Sequence, residues 1–173
     1  QMWVPDVYEG APTPVVAYLS VASKATGVAI LLRVLYVCFP EFSGDWGILV
    51  AVLSATSMTV GNVAAMVQSN IKRLLGYSTI AHAGYIMVGV AAVGATEGIS
   101  SVMFYIAAYS FTNLGVFIAI IAISGNIGSD VIDDYSGMAR RAPVLSFLLA
   151  FCLVSLVGLP PASGFIAKVY IFS

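Results

Sequence analysis

The stretch "PVVAYLSVASKATGVAILLRVLYVC", residues 14–38, decides the fold. A helix that crosses a bilayer needs about 20 mostly apolar residues, and this run supplies them with only Lys24 and Arg33 as interruptions. The rest of the chain has the same character. Its 173 residues are 60% hydrophobic and 9% charged, with a mean hydropathy of +1.00. A soluble domain carries roughly 25% charged residues, and a water-soluble fold of this size has no way to hide so much apolar surface. The composition is that of a membrane protein.

Four further apolar stretches follow, at about 46–69, 74–93, 99–124 and from Pro143 to the end of the chain. The last is crossed by "GLPPASG" (158–164) and then carries Lys168. Two prolines beside glycines break a helix, because proline removes a backbone donor and clashes with the preceding turn. No period-two alternation runs over the lengths that a membrane barrel requires. The expected fold is therefore all-α and polytopic, with about five transmembrane helices in one membrane domain over residues 1–173, the last broken at Gly158–Pro161. The N-terminal "PDVYEGAPTP" (5–14), rich in Pro and Gly, reads as a turn or loop. The chain opens on Gln1 and ends inside an apolar run, so it reads as a piece of a longer chain.

Five crossings put residues 1–13, 70–73 and 125–142 on one side, with Lys72, Arg73, Arg140 and Arg141. Glu41, Asp45 and Glu97 fall on the other, with Arg33 near its edge. The positive-inside rule assigns the first side to the cytoplasm or its equivalent. The net charge of -1 argues against a nucleic-acid partner. Cys38 and Cys152 read as small hydrophobes. No phosphate-binding loop, dinucleotide fingerprint, metal-ligand spacing or triad pattern is visible.

Lys24 is the sharpest signal. It lies about 15 Å along its helix at 1.5 Å per residue, too deep for its stem to reach the interface. A central lysine costs roughly 2.5–3.5 kcal/mol to insert. A purely structural lysine needs a carboxylate at the same depth, and this sequence supplies none. A proton-accepting role is favoured. Lys168, one turn past the break, points to an ion or proton path, because broken helices at membrane depth line cavities; the plainer alternative is a lysine facing headgroups. His82, near Ser78, Thr79 and Tyr85, is either a buried neutral histidine or a titrating relay member. Lys72 and Arg73 read as topology anchors. Asp130, Asp133 and Asp134 read as solvated and in contact with water or a partner. Tyr105, Tyr109 and Asn113 share a helix face, for which helix–helix packing is preferred over a polar stripe towards a channel.

Three segments, "WVPDVYEGAPTPVVAYLSVASK" (3–24), "NIKRLLGYSTIAHAGY" (70–85) and "LVGLPPASGFIAK" (156–168), together resemble the antiporter-like membrane subunits of proton-pumping NADH:quinone oxidoreductase, respiratory complex I. The first segment and the lysine of "GFIAK" favour the subunit N type over its two sisters. The resemblance covers essentially the whole chain. It implies a parent fold of about fourteen helices built from two inverted repeats, of which this chain resembles helices eight to twelve. It also implies that Lys24, His82 and Lys168 form a proton relay, with Lys24 central, Lys168 at the exit side and His82 between them. A glutamate–lysine pair of the family belongs to earlier helices. The implied partners are other complex I membrane subunits, including the sister antiporter-like subunits, and the lipid bilayer. NADH, FMN, iron–sulfur clusters and quinone are implied for partner subunits, with no cofactor in this chain. The implied location is the cell (inner) membrane, or a thylakoid or other energy-transducing membrane. A multisubunit sodium/proton antiporter or a membrane-bound hydrogenase shares the fold and the lysine axis, and a purely structural membrane subunit is the remaining alternative.

Overall fold

The computed structural model describes residues 1–92 and 98–173. The last residue of the expected span at 74–93 and Glu97, expected on the outer side, lie outside the described residues. Eight α-helices are present among the described residues: α1 (Val4–Gly10), α2 (Thr13–Arg33), α3 (Ser43–Ala65), α4 (Ile71–Ala91), α5 (Gly98–Ile127), α6 (Met138–Arg141), α7 (Pro143–Val157) and α8 (Ser163–Phe172). Four spans are long and apolar enough to cross a membrane, namely Thr13–Cys38, Pro40–Ala65, Ile71–Ala91 and Gly98–Ile127. The first of these continues α2 through a π-helical turn at Val34–Cys38. α7 and α8 are shorter apolar helices on either side of the break. The all-α polytopic fold with a broken last element is what the sequence predicts.

The boundaries follow local chemistry. α2 starts with proline at its first turn, where the missing N–H has no partner to lose. Asn70 caps α4, its Oδ1 accepting from the backbone N–H of Lys72 at 2.9 Å and of Arg73 at 3.2 Å. Lys72 and Arg73 thus lie inside the helix, a turn earlier than the hydropathy pattern indicates. α7 stops at Gly158 with φ +87°, a conformation that side chains disfavour.

α5 runs through the middle, touching α2, α4, α7 and α8, while α3 lies on α4. The α3–α4 pair approaches to backbone distance, since a Cβ on Gly61 would sit 2.6 Å from the Ala81 amide nitrogen. Small residues permit such approach in membranes, where van der Waals packing drives helix association. Much of α2 and α3 faces outward, with Tyr18, Ile48 and Val63 exposed.

Two readings of the N-terminal and loop regions need correction. Residues 5–14 are not simply a loop, because Val4–Gly10 is helical and buries Val4, Pro5 and Tyr8. Proline sits at its first turn, where it starts a helix instead of breaking one, and the helix docks on α4. Asp130 is not a freely solvated acid. It pairs with Lys72 at 2.8 Å, and the Lys72 side chain is only 9% exposed. The backbone closes the same junction: Ile71 N–H donates to Asp130 O and Ile132 N–H to Ser69 O, each at 2.9 Å. Arg73 reaches Glu9 at 2.8 Å and Asp6 at 3.3 Å. The N-terminal helix, the start of α4 and the 128–142 connection are therefore joined on one side of the bundle, as the topology requires.

Removing one member of a largely buried ion pair leaves a charge without compensation, at a cost of about 3–5 kcal/mol. Asp130→Ala should destabilise the full-length protein by about 3 kcal/mol, the low end of that range, because Asp130 keeps 26% exposure. The double variant Lys72→Met/Asp130→Ala should regain most of the loss. Thermal unfolding in detergent measures both.

Candidate functional site

The site is built on one face of α5. Residues four apart in a helix stack one above another, so Tyr105, Tyr109 and Asn113 present three polar groups in a column. All three are buried, and each bonds a different neighbour. Asn113 Nδ2 donates to Ser20 Oγ at 2.6 Å. Tyr109 Oη lies 3.0 Å from Lys24 Nζ and 3.2 Å from Thr79 Oγ1. Tyr105 Oη lies 2.7 Å from His82 Nδ1. The preferred reading of this face as packing alone is therefore incomplete, since the same side chains pack and carry hydrogen bonds. Periodicity showed that they share a face. Which residues of α2 and α4 they meet does not follow from that spacing, because those partners are distant in sequence.

Lys24 is 7% exposed. Its ammonium position donates to the backbone carbonyl of Ser20 at 2.6 Å and to Tyr109 Oη. Its Nζ also lies 4.8 Å from the Tyr109 ring centroid. Neither partner carries a charge. A buried cation held only by dipoles and a π-face is an expensive arrangement, and at membrane depth it marks a functional position by default. Lys24 also lines a cavity of about 290 Å³ with Tyr8, Ser23, Thr79, Gln1 and Trp3. Tyr8 lies on α1, outside the spans. Burial pushes its phenol up to about 12, against the opposing pull of the Thr79 and Ser20 hydroxyls. It is thus a neutral donor over the whole physiological range.

Lys168 sits at the break. Its Nζ donates to the carbonyls of Leu156 and Val157 at 3.1 and 2.7 Å. These are end-of-helix carbonyls of α7, freed by the break, at the negative end of the helix dipole. Lys168 Nζ is also 4.8 Å from the centroid of the Tyr85 ring. The two half-helices meet so closely that a Cβ on Gly164 would overlap the Ser155 carbonyl oxygen. Lys168 therefore turns back towards the end of α7 and the Tyr85 ring.

His82 lies between the lysines, and its ring is 5.0 Å from that of Tyr109 and 5.6 Å from that of Tyr85. Contacts therefore run from Lys24 through Tyr109, His82 and Tyr85 to Lys168. The structure brings all three sequence-predicted residues into one line of contacts, buried at Lys24, Tyr109 and His82 and half-buried at Tyr85 and Lys168. It adds Tyr109, Tyr105, Thr79 and Ser20 as direct partners, together with the Thr112 and Ser155 hydroxyls, 3.5 Å apart near the break. Ser20 was legible in principle, because it stands four residues before Lys24 on the same helix face. Thr112 and Ser155 were not, since isolated hydroxyls in apolar helices usually bond their own backbone. Among the described residues no cluster of His, Cys, Asp or Glu is suited to a metal ion.

A family model described as "NADH:quinone oxidoreductase/Mrp antiporter, TM" matches residues 1–173. The chain is 51% identical to NADH-quinone oxidoreductase subunit N of Dehalococcoides mccartyi, covering 100% of this chain and 37% of that protein. It is 49% identical to NAD(P)H-quinone oxidoreductase subunit 2 of Gloeobacter violaceus, covering 98% of this chain and 33% of the relative. The chain thus spans about a third of the length of the curated relatives it matches. Among solved structures, a chain of respiratory complex I from Thermus thermophilus superposes with a TM-score of 0.80 at 36% identity, over 99% of this chain and 36% of that one. A chain of the membrane-bound sulfane sulfur reductase, an archaeal respiratory membrane complex, gives 0.88 at 25% identity, over 99% and 35%.

The Asn113–Ser20 bond fixes α2 beside α5 one turn from Lys24. Hydrogen bonds between membrane helices contribute about 0.6 kcal/mol on average and about 1.7 at most. Asn113→Leu should therefore lower the stability of the full-length protein by about 1 kcal/mol, read as a fall in its thermal midpoint in detergent. A loss well above 2 kcal/mol would mean that the column is held by more than this bond.

Proposed function

The chain belongs to the NADH:quinone oxidoreductase/Mrp antiporter transmembrane family, and from that membership we propose that it forms part of a proton-translocating membrane subunit of NADH:quinone oxidoreductase. The observation that carries the reading is the unbroken line of contacts from Lys24 to Lys168. Two lysines held at membrane depth by neutral partners are costly to keep, and a mobile proton gives them a purpose. Lys24 takes up a proton from the cavity it lines, and His82 stands midway. Lys168 receives the proton among the carbonyls of the broken helix and releases it across the membrane. The subunit N assignment rests on identities near 50% across nearly the whole chain. The sulfane sulfur reductase chain shares the fold at the lower identity of 25%.

The chain carries the path and not the redox chemistry. NADH oxidation, FMN, the iron–sulfur clusters and quinone reduction belong, in this reading, to partner subunits, and charge changes there drive the relay. The partners at membrane depth are further membrane subunits of the complex, including sister antiporter-like subunits. The setting is an energy-transducing membrane, either the bacterial cell membrane or a thylakoid. The side that holds Lys72, Arg73, Arg140 and Arg141 faces the cytoplasm or its equivalent.

The test replaces Lys24 or Lys168 by methionine in the full-length subunit within the assembled complex. NADH-driven proton uptake is then followed in sealed inverted vesicles, with the amount of assembled complex measured alongside. Each variant should pump at least about a hundredfold more slowly, the low end of what a positioned proton-transfer group contributes. Normal pumping with either lysine neutralised would sink the assigned role.

A further inference from the structure

Two separate cavities flank the column on α5. The cavity of about 290 Å³ contains Lys24, Thr79 and Tyr8. The other is far smaller, with about 10 Å³ open to the centre of a water molecule, and is lined by His82, Tyr105, Tyr109, Thr112, Ser155 and Lys168 among others. That volume corresponds to about one water. Among the described residues none lines both cavities, and Lys24 lines only the larger. Tyr109 stands between them. Its hydroxyl bonds Lys24 on one side, and its side chain forms part of the wall of the second cavity. Thr79 Oγ1, at 3.2 Å, steadies the same hydroxyl.

We propose that the Tyr109 hydroxyl is the proton-carrying link between the Lys24 cavity and the His82–Lys168 cavity. The inference rests on the reading of Lys24 as a proton carrier and names the group through which its proton leaves. A hydroxyl both donates and accepts, so it passes a proton without gaining net charge. An Nζ–H bond of the Lys24 ammonium breaks and an O–H bond to Tyr109 forms. The original Tyr109 O–H breaks and its proton goes to a water in the small cavity. That water hands the proton to the imidazole of His82 or to the free amine of Lys168. Lys24 is left as a neutral amine, one proton has moved, and no electrons are exchanged. Rotation about the Tyr109 C–O bond resets the hydroxyl. The ring meanwhile keeps the two cavities from merging, so the path conducts protons and excludes a continuous water column.

The test uses the full-length subunit in its assembled complex, in sealed inverted vesicles energised with NADH. Tyr109→Phe keeps the ring and removes the hydroxyl. Pumping per electron should fall at least about a hundredfold, the low end of what a proton-transfer group contributes, while the amount of assembled complex is unchanged. Tyr109→Ser opens the septum and lets water join the cavities, so it should pump several times faster than Tyr109→Phe. A residue that only packs would give the reverse order, since the smaller side chain disturbs the helices more. Tyr109→Leu serves as the hydroxyl-free variant if Tyr109→Phe does not assemble. Lys24→Met is measured in parallel. A Lys24→Met complex that does not pump, beside a Tyr109→Phe complex within twofold of the parent, overturns the link and leaves the lysine relay standing. Pumping in Tyr109→Ser no faster than in the hydroxyl-free variant overturns it too. Normal pumping in Lys24→Met overturns the relay itself.

Discussion

An ammonium group about 16 Å inside a helix, at 1.5 Å per residue, has to find its hydrogen-bond acceptors at that depth, and the rest of the site is arranged around this need. Lys24 begins its interactions within its own helix, at the Ser20 carbonyl one turn back. Its second acceptor comes from α5, which fixes the rotation of that helix so that Tyr109 points inward. Rotation of α5 then places Tyr105 against His82 and Asn113 against Ser20, because the three stand at four-residue intervals. One buried charge thus organises contacts among α2, α4 and α5. A smooth apolar interface would leave those helices freer to slide and rotate against one another.

The second lysine meets the same need by a different route. An intact helix has no spare carbonyls in its middle, since each accepts from the residue four ahead. The break at Gly158 frees the Leu156 and Val157 carbonyls inside the bundle, and Lys168 takes both. The prolines and glycines that end α7 therefore create the acceptors that Lys168 uses. Broken helices are tolerated at membrane depth where protein or a cavity covers the freed groups, and here the covering group is the cation itself.

The fold class and the two lysines were legible in the sequence because each departs from a simple background. A charge in an apolar run and a Pro–Pro pair beside glycines stand out against the pattern expected of a spanning helix. The groups that complete the site were less legible. Tyr109 and Tyr105 are as apolar as they are polar, and their spacing fits a packing face equally well. Asp130 lay in a loop with two other acids, and nothing local indicated that Lys72, far away in sequence, would bury beside it. The short helix Val4–Gly10 has the proline and glycine content of a loop, and only the position of Pro5 in the first turn distinguishes it. Proline at a first turn supports a helix, and the burial of Tyr8 against the rest of the bundle stabilises a segment too short to hold its shape alone.

The two lysines differ in what their partners can do. Lys168 is held by two carbonyls and a ring face, all of which match an ammonium, and none of which can donate to the lone pair of a neutral amine. Lys24 is held by one carbonyl and one hydroxyl. The hydroxyl accepts from the charged lysine and donates to the neutral one. The Lys24 position therefore keeps a hydrogen-bond partner in both protonation states, which a site that repeatedly gives up and regains a proton requires. The Lys168 position offers acceptors to an ammonium and no donor to an amine. In the relay proposed above, Lys24 is thus the position whose partner serves both protonation states, and Lys168 the one whose partners serve only the ammonium form.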